Sequence, residues 1–293
     1  MASRTSHRGS LVVEEARVIA RQAHPGAQHV LRLAAPRIAA RALPGQFVHV
    51  RCDPLLPMRR PMSLLRADAA AGHIDILFKV HGHGTALLAT RKAGETISAI
   101  GPIGVPFRLD GYRPRPLLIG GGVGLPPMIC LAEHMRPKLG GSMFVVLGSE
   151  VPFPFTPRPS AIMVPGVPTG AIAAMPLLDD WGIASRLATL QGYAGCFAGY
   201  VTDLARCWLQ SLPAGGRDEV EVFACGPTPM LKAVRALALE FDLPCQLSLE
   251  EYMACAVGGC AGCAVRIENE QGAAMKRVCV DGPVFEARSI IFQ

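Results

Sequence analysis

The chain has 293 residues, half of them hydrophobic, 6% aromatic and 18% charged, enough for two or three modest domains with real cores. Its formal net charge is +6, but the arginines are scattered rather than clustered, which fits solubility and an acidic partner and argues against nucleic acid. No run reaches the length of a membrane span, and no long apolar core follows the polar, basic stretch Met1–Ser10, so the ten cysteines are expected as reduced thiols in a cytoplasmic protein.

The first domain is expected over residues 10–110. Leu11 to Ile19 and Gln28 to Leu33 alternate loosely around Pro25-Gly26 and predict a hairpin. Phe47 to Val50 follows the Pro44-Gly45 turn as a strand, and Ile74 to Val80 is another. Short strands broken by Gly and Pro predict a small antiparallel barrel. Arg60-Pro61-Met62-Ser63 offers an arginine able to fork onto a pyrophosphate and a serine able to bond a ring nitrogen. Gly84-Thr85, opening a short helix to about Thr90, offers N–H groups for a phosphate. Each has a plainer explanation: R-P-x-S ends a strand, and G-x-G-T is a capped turn. His81 and His83 are read as loop histidines without a role.

The second domain is expected over 111–243. Arg115 to Ile119 is a short apolar strand, and Gly120-Gly121-Gly122-Val123-Gly124 is a loop. Met128 to Met135 is a helix, completing the front half of a nucleotide-binding βα unit. Met143 to Gly148 is a second strand. Glu221 to Cys225 is a later one, running through Gly226 and Pro227 into a helix ending near Glu240. Between these, Val151 to Gly170 carries six prolines and excludes continuous helix or central strand, and Phe153 and Phe155 are expected to be covered. Cys52, Cys130, Cys196 and Cys207 read as small buried hydrophobes.

The third domain is expected over 244–293. Gln246 to Glu251 reads as a strand, Ala264 to Ile267 as another, with a turn around Asn269 to Gly272. Four residues separate Cys255 from Cys260, two separate Cys260 from Cys263, and fifteen separate Cys263 from Cys279. This is the spacing of a plant-type [2Fe–2S] site, in which a tight loop presents three thiolates and a later strand the fourth. Gly258, Gly259 and Gly262 suit such a loop, since glycine takes φ > 0 and lets N–H groups approach sulfur. Structural zinc is the plainer alternative, but zinc usually takes two short C-x2–4-C knuckles and only one is present. Disulfides would need an oxidising compartment. So small a domain should lean on its metal group for cohesion.

In this order the motifs resemble the ferredoxin reductase superfamily: Arg60-Pro61-Met62-Ser63, Leu77-Phe78-Lys79, Gly84-Thr85, the turn expected at Gly101-Pro102-Ile103-Gly104, then G-G-G-x-G-x-x-P and C-G-P-x-P-M. S-L-E-E-x-M-A-C, G-x-C-x-x-C and C-x-D-G-P-V-F resemble one branch of it, the electron-transfer subunit of the NAD-linked dihydroorotate dehydrogenase. The resemblance implies a FAD-binding antiparallel β-barrel, a Rossmann-like NAD-binding α/β domain and a small C-terminal [2Fe–2S] domain. It implies FAD contacts from Arg60, Pro61, Met62, Ser63, Leu77, Phe78, Lys79, Gly84 and Thr85, with Arg60 on the pyrophosphate and Ser63 near the flavin ring. It implies nicotinamide-nucleotide contacts from Gly121, Gly122, Gly124, Cys225, Gly226 and Pro227, and cluster ligation by Cys255, Cys260, Cys263 and Cys279. A dihydroorotate dehydrogenase catalytic subunit is the implied partner, in a heterotetramer, with electrons passing between it and NAD.

Two departures stand out. Ala256 follows the first cluster cysteine, where the family commonly has glycine. The family's acidic pair in T-D-D-G is Leu190-Gln191 here, although Gly192, Gly195, Gly199 and the Thr202-Asp203 that close the motif remain. An acid near a ribose favours NAD over its 2′-phosphate, so this bears on which carrier is used. The same scaffold also serves NAD(P)H–ferredoxin and hydrogenase-type reductase subunits, and a degenerate nicotinamide site would pass electrons to another carrier. An iron–sulfur sensor or zinc module would lack the flavin motif.

Overall fold

The computed structural model describes residues 11–270 and 272–292. The Met1–Ser10 stretch and the middle of the expected Asn269–Gly272 turn lie outside them. The barrel strands are β1 (Val12–His24), β2 (Gln28–Ala34), β3 (Phe47–Val50), β4 (Arg60–Asp68), β5 (His73–Lys79) and β6 (Thr96–Ile103), with short helices α1 (Pro36–Ala39) and α2 (His83–Leu88). They close in the order β1-β2-β5-β4-β3-β6. Alternation decides what faces in: Leu31, Leu33, Val48, Val50, Ile74 and Ile76 form the barrel core. The expected hairpin is β1–β2, turning at Pro25–Gly26. Gly101-Pro102-Ile103 belongs to β6, which ends at Ile103 before Gly104, where φ is +96°.

The next unit begins with β7 (Arg115–Gly121), α3 (Leu125–Leu139) and β8 (Phe144–Gly148), followed by the short β9 (Arg158–Pro159) and β10 (Ala173–Ala174). It continues with α4 (Pro176–Asp180), β11 (Ala184–Thr189), β12 (Phe197–Ala198), α5 (Val201–Ser211), β13 (Val220–Cys225), α6 (Thr228–Glu240) and β14 (Cys245–Ser248). Last come β15 (Ala264–Asn269), β16 (Gly272–Arg277), β17 (Val284–Glu286) and β18 (Ile290–Ile291). A seven-stranded sheet runs β12-β11-β8-β7-β13-β14-β17, and a three-stranded sheet runs β16-β15-β18.

Helix α3 is longer than its apolar stretch predicts. Pro126 and Pro127 sit in its first turn, where the missing N–H costs nothing. The strand Cys245–Ser248, assigned by sequence to the cluster domain, instead pairs with β13, and β17 pairs with it from the far end of the chain. The expected division at residue 243 therefore crosses one continuous sheet. Cys52 and Cys130 are buried as expected, whereas Cys196 and Cys207 are only half-buried.

The proline-rich segment covers the outer flank of β11. Phe153 is buried and meets Phe155 at 5.3 Å between ring centroids. Asp179 accepts from Ser160 Oγ at 2.6 Å, and Arg186 on β11 donates to the Ile162 carbonyl at 2.8 Å. The prolines leave few N–H groups to satisfy, so the segment shields the strand without extending the sheet.

The barrel is tied to the α/β unit by Arg66 on β4, whose Nε donates to both Glu133 oxygens at 3.1 Å, and by Arg108, which pairs with buried Glu221 at 2.7 Å. Val105 N donates to the Gly282 carbonyl at 2.6 Å, bringing the C-terminal segment against the end of the barrel.

His49 on β3 is 1% exposed, and Arg59 donates to its carbonyl at 3.3 Å. Burial first, then the guanidinium charges of Arg59 and Arg60, push the His49 imidazole down to about 4. The unfolded chain therefore takes up this proton first on acidification, so stability is lost as pH falls from about 6.5 towards 4. The expected loss is about 2 kcal/mol between pH 7 and pH 5. Urea unfolding at both pH values checks it; a His49→Gln variant should show the smaller drop, and an equal drop in both proteins would assign the effect to other groups.

Candidate functional site

The site grows from the carboxyl ends of the central strands. Parallel pairing sets Gly120 opposite Cys225 and Cys225 opposite Ser248. The glycine loop after β7, the Cys225-Gly226-Pro227 loop after β13 and the segment after β14 therefore emerge side by side. In an open parallel sheet this is where ligands bind.

The first two loops touch through bare backbone. A Cβ on Gly124 would lie 2.2 Å from the Cys225 carbonyl oxygen, and one on Gly226 would lie 2.5 Å from Met230 Cε. Gly121 faces the same Met230, whose Sδ would be 2.4 Å from its Cβ. Gly122 has φ of +56° and faces open space, so its backbone is free to approach a ligand. Pro227 precedes α6 and is exposed.

Cys225 is 1% exposed, and its thiol donates to Glu250 Oε1 at 3.9 Å. Burial, then the negative charge of Glu250, push this thiol well above its ordinary value. Glu250 is open to solvent on one side and packed by protein on the other. Burial pushes its carboxyl up, opposed by the Cys225 hydrogen bond. Sequence reading placed Glu250 in a strand and gave it no role; the one available signal was its position five residues before Cys255.

On the barrel, Arg60 is half-buried, and its Nη1 donates to the carbonyls of Met58 and Arg59, both at 3.1 Å. Its Nε and Nη2 face Gly84, where a Cβ would come within 3.1 and 3.3 Å of them. The sequence-separated Arg60 and Gly84 thus form one cradle, held open by the missing side chain and fit for a phosphate. Thr85 Oγ1 accepts from His81 N at 2.8 Å and donates to the Gly82 carbonyl at 3.2 Å, fixing the turn into α2. Pro61 and Ser63 are half-buried, Leu77 is buried outside the barrel core, and Lys79 is exposed. Met62 and Phe78 differ from the expectation: both side chains pack inside the barrel, leaving only their backbone for a cofactor.

The cysteine loop forms two pairs. Cys260 N donates to Cys255 Sγ at 3.4 Å, and Gly262 N donates to Cys260 Sγ at 3.4 Å. Burial raises Cys255, but N–H groups of Val257, Cys260 and Gly259 and the Cys260 thiol outweigh it and bring it down to about 6. Burial, then hydrogen bonding and charge from Cys263, push Cys279 up to about 12. Among the described residues no three His, Cys, Asp or Glu side chains gather closely enough for one metal ion. Cys255 stands with Cys260 and Cys263 with Cys279, the two thiol pairs that a group with two metal atoms takes. Of the three glycines expected at φ > 0, only Gly258 is there, at +82°; Ala256 and Ala261 take the other left-handed positions, both at +55°. Gly259 and Gly262 lie beside sulfur instead, their would-be Cβ atoms 4.0 Å from Cys255 Sγ and 3.6 Å from Cys260 Sγ.

A six-stranded barrel joined to a parallel α/β sheet, with a thiol-rich loop at the sheet's end, defines an electron-transfer reductase of the ferredoxin-reductase type. Residues 250–291 match the family described as the iron–sulfur cluster binding domain of dihydroorotate dehydrogenase B. The dihydroorotate dehydrogenase B (NAD(+)) electron transfer subunit of Geobacillus sp. strain WCH70 is 37% identical over 255 residues, 85% of this chain and 86% of that one. The corresponding subunit of Desulforamulus reducens is 32% identical, over 88% of this chain and 90% of that one. The chain belongs to the dihydroorotate dehydrogenase B electron transfer subunits. Among solved structures, an NADH-dependent reduced ferredoxin–NADP oxidoreductase, described for flavin-based electron bifurcation, superposes with TM-score 0.74 at 25% identity, over 95% of this chain and 90% of that one. A Neisseria gonorrhoeae ferredoxin NADP+ reductase with bound FAD and NADP shares the fold at TM-score 0.56 and 13% identity, over 78% and 91% of the two chains. No described helix is long and apolar enough to cross a membrane.

Gly124→Ala is expected to push the glycine loop off the Cys225 carbonyl and destabilise the α/β unit by about 1–3 kcal/mol, as overpacking does. A thermal melt checks this; an unchanged midpoint would mean the loops part without cost.

Proposed function

We propose that this chain passes electrons between NAD and the catalytic subunit of a dihydroorotate dehydrogenase, within a heterotetramer, as an oxidoreductase subunit of pyrimidine biosynthesis. The observation that carries the reading is the meeting of three elements on one side of the sheet: the glycine loop, the Cys225–Glu250 pair and the cysteine loop that starts five residues later. In this reading residues 10–110 hold FAD, 111–243 take the nicotinamide nucleotide, and 244–293 hold the cluster, with β14 and β17 joining the last two.

When bound, FAD exchanges a hydride with a nicotinamide and single electrons with an iron–sulfur cluster, which is the conversion such a subunit needs. Arg60 would hold the FAD pyrophosphate in the Gly84 cradle, with Ser63, Pro61, Leu77, Lys79 and Thr85 along the flavin side. Gly122 admits a dinucleotide pyrophosphate to the backbone of the loop, and Gly121 and Gly124 seat that loop against Met230 and the Cys225 carbonyl on the nucleotide's side. Cys225, Gly226 and Pro227 bound the nicotinamide side, and Glu250 receives the Cys225 hydrogen bond there. Cys255 and Cys260 would bind one iron, Cys263 and Cys279 the other. Cys260, Tyr252 (91% exposed) and Val257 are open to solvent, so the partner would dock on this face.

An anaerobic visible spectrum with stoichiometric NADH tests the whole. Flavin and iron–sulfur bands that bleach together are expected; bands that persist would reject NAD as the carrier. Cys260→Ser should remove the cluster absorbance and leave flavin bound, whereas an unchanged cluster spectrum would reject the ligand assignment. Arg60→Ala should lower FAD retention at least tenfold, the size of one lost charge-assisted contact. Full occupancy after gel filtration would count against the pyrophosphate role.

A further inference from the structure

We infer that Glu150 binds the adenosine ribose of the dinucleotide and selects against a 2′-phosphate. The inference rests on the nicotinamide site proposed above and names the residue that sets its specificity.

In a parallel sheet of this kind the pyrophosphate lies at the glycine loop, and the adenosine ribose lies towards the neighbouring strand ends, where an acid takes the ribose hydroxyls. Beside β7 in this sheet comes β8, and beyond it β11, with Gly148 opposite Ala188. Glu150 stands two residues past the end of β8. The loop ends are joined: Ser149 N donates to the Ala188 carbonyl at 3.4 Å, and Thr189 Oγ1 donates to the Ser149 carbonyl at 2.8 Å. Gln191 N donates to Thr189 Oγ1 at 3.1 Å, so residues 149–150 and 189–191 form one ledge. Gly192, at φ +70°, has open space where a side chain would be, leaving room above it.

Charge decides what the ledge accepts. Residues 148–152 and 189–200 together contain no Lys or Arg, and Glu150 is their one charged side chain. Where an acid would be expected after β11, the chain has Leu190-Gln191, and Leu190 is 63% exposed. Glu150 is exposed, and among the described residues no carboxylate–cation pair engages it. A free carboxylate accepts hydrogen bonds from the 2′- and 3′-hydroxyls, whereas a 2′-phosphate would meet like charge with no Lys or Arg in these two segments to offset it. The acid that discriminates the two carriers is thus supplied by β8 rather than β11.

The test uses the purified holoprotein and two probes that carry no nicotinamide, ADP-ribose and its 2′-phosphate, titrated by calorimetry so that affinity is read without electron transfer. Wild type should bind ADP-ribose at least tenfold more tightly than the phosphate. Glu150→Gln should weaken ADP-ribose about tenfold, erase most of the preference, and leave the flavin and cluster spectra unchanged. Glu150→Lys should reverse the preference. A Glu150→Gln protein that keeps the wild-type preference overturns the assignment while leaving the nicotinamide site standing. A wild type that binds neither probe and is not bleached by NADH rejects the nicotinamide site itself, and the role of Glu150 with it.

Discussion

The hydrogen bonding of β13 between β7 and β14 places Gly120, Cys225 and Ser248 in one row across the sheet, and the antiparallel strand β17 continues the row to Val284. A shift of one residue in any of these pairings would turn inward-facing residues outward and separate the loops that follow. The row holds because each strand is buried on both faces, with Leu117, Ile119, Val222, Ala224 and Leu247 in one core and Leu118 and Phe223 in the other. Gly124 then settles on the Cys225 carbonyl at a distance no other residue permits.

The same row fixes the cysteine loop. It leaves β14 at Ser248, and the chain returns to the sheet as β17, so both ends of the loop region are anchored in the α/β unit. Ala256, Cys263, Val278 and Cys279 belong to the same core as β7 and β13. Arg277 braces the loop from outside, donating to the Gly258 carbonyl at 2.9 Å. N–H groups directed at Cys255 favour its thiolate, while Cys279, deeper and beside Cys263, favours its thiol. A bound metal group would supply the positive charge that the second pair lacks. Fixed ends matter for electron transfer, because the protein's share of that chemistry is distance and orientation.

Spacing alone made much of this legible. The barrel hairpin, the two loops after β7 and β13, and the four cysteines each rest on a short run whose chemistry is local: alternation, glycine next to a strand end, cysteines with two and four residues between them. Residues that act through distant neighbours were less legible. Met62 and Phe78 fall in motifs, but the barrel's inside-outside alternation turns both into the core. The left-handed positions of the cysteine loop were assigned to glycines, yet two belong to Ala256 and Ala261, since surrounding contacts can impose a conformation that local preference disfavours.

The sequence by itself determined the order of the units, the cysteine set and the glycine loops, because those depend on residues close in the chain. Only the tertiary structure decided that β14 and β17 extend the nucleotide sheet, that Gly84 faces Arg60, that Cys225 meets Glu250, and that the proline-rich segment covers β11. Each of these joins residues at least 23 positions apart. Such contacts arise from strand register and from burying the faces of two sheets and a barrel against one another, and no local pattern encodes that.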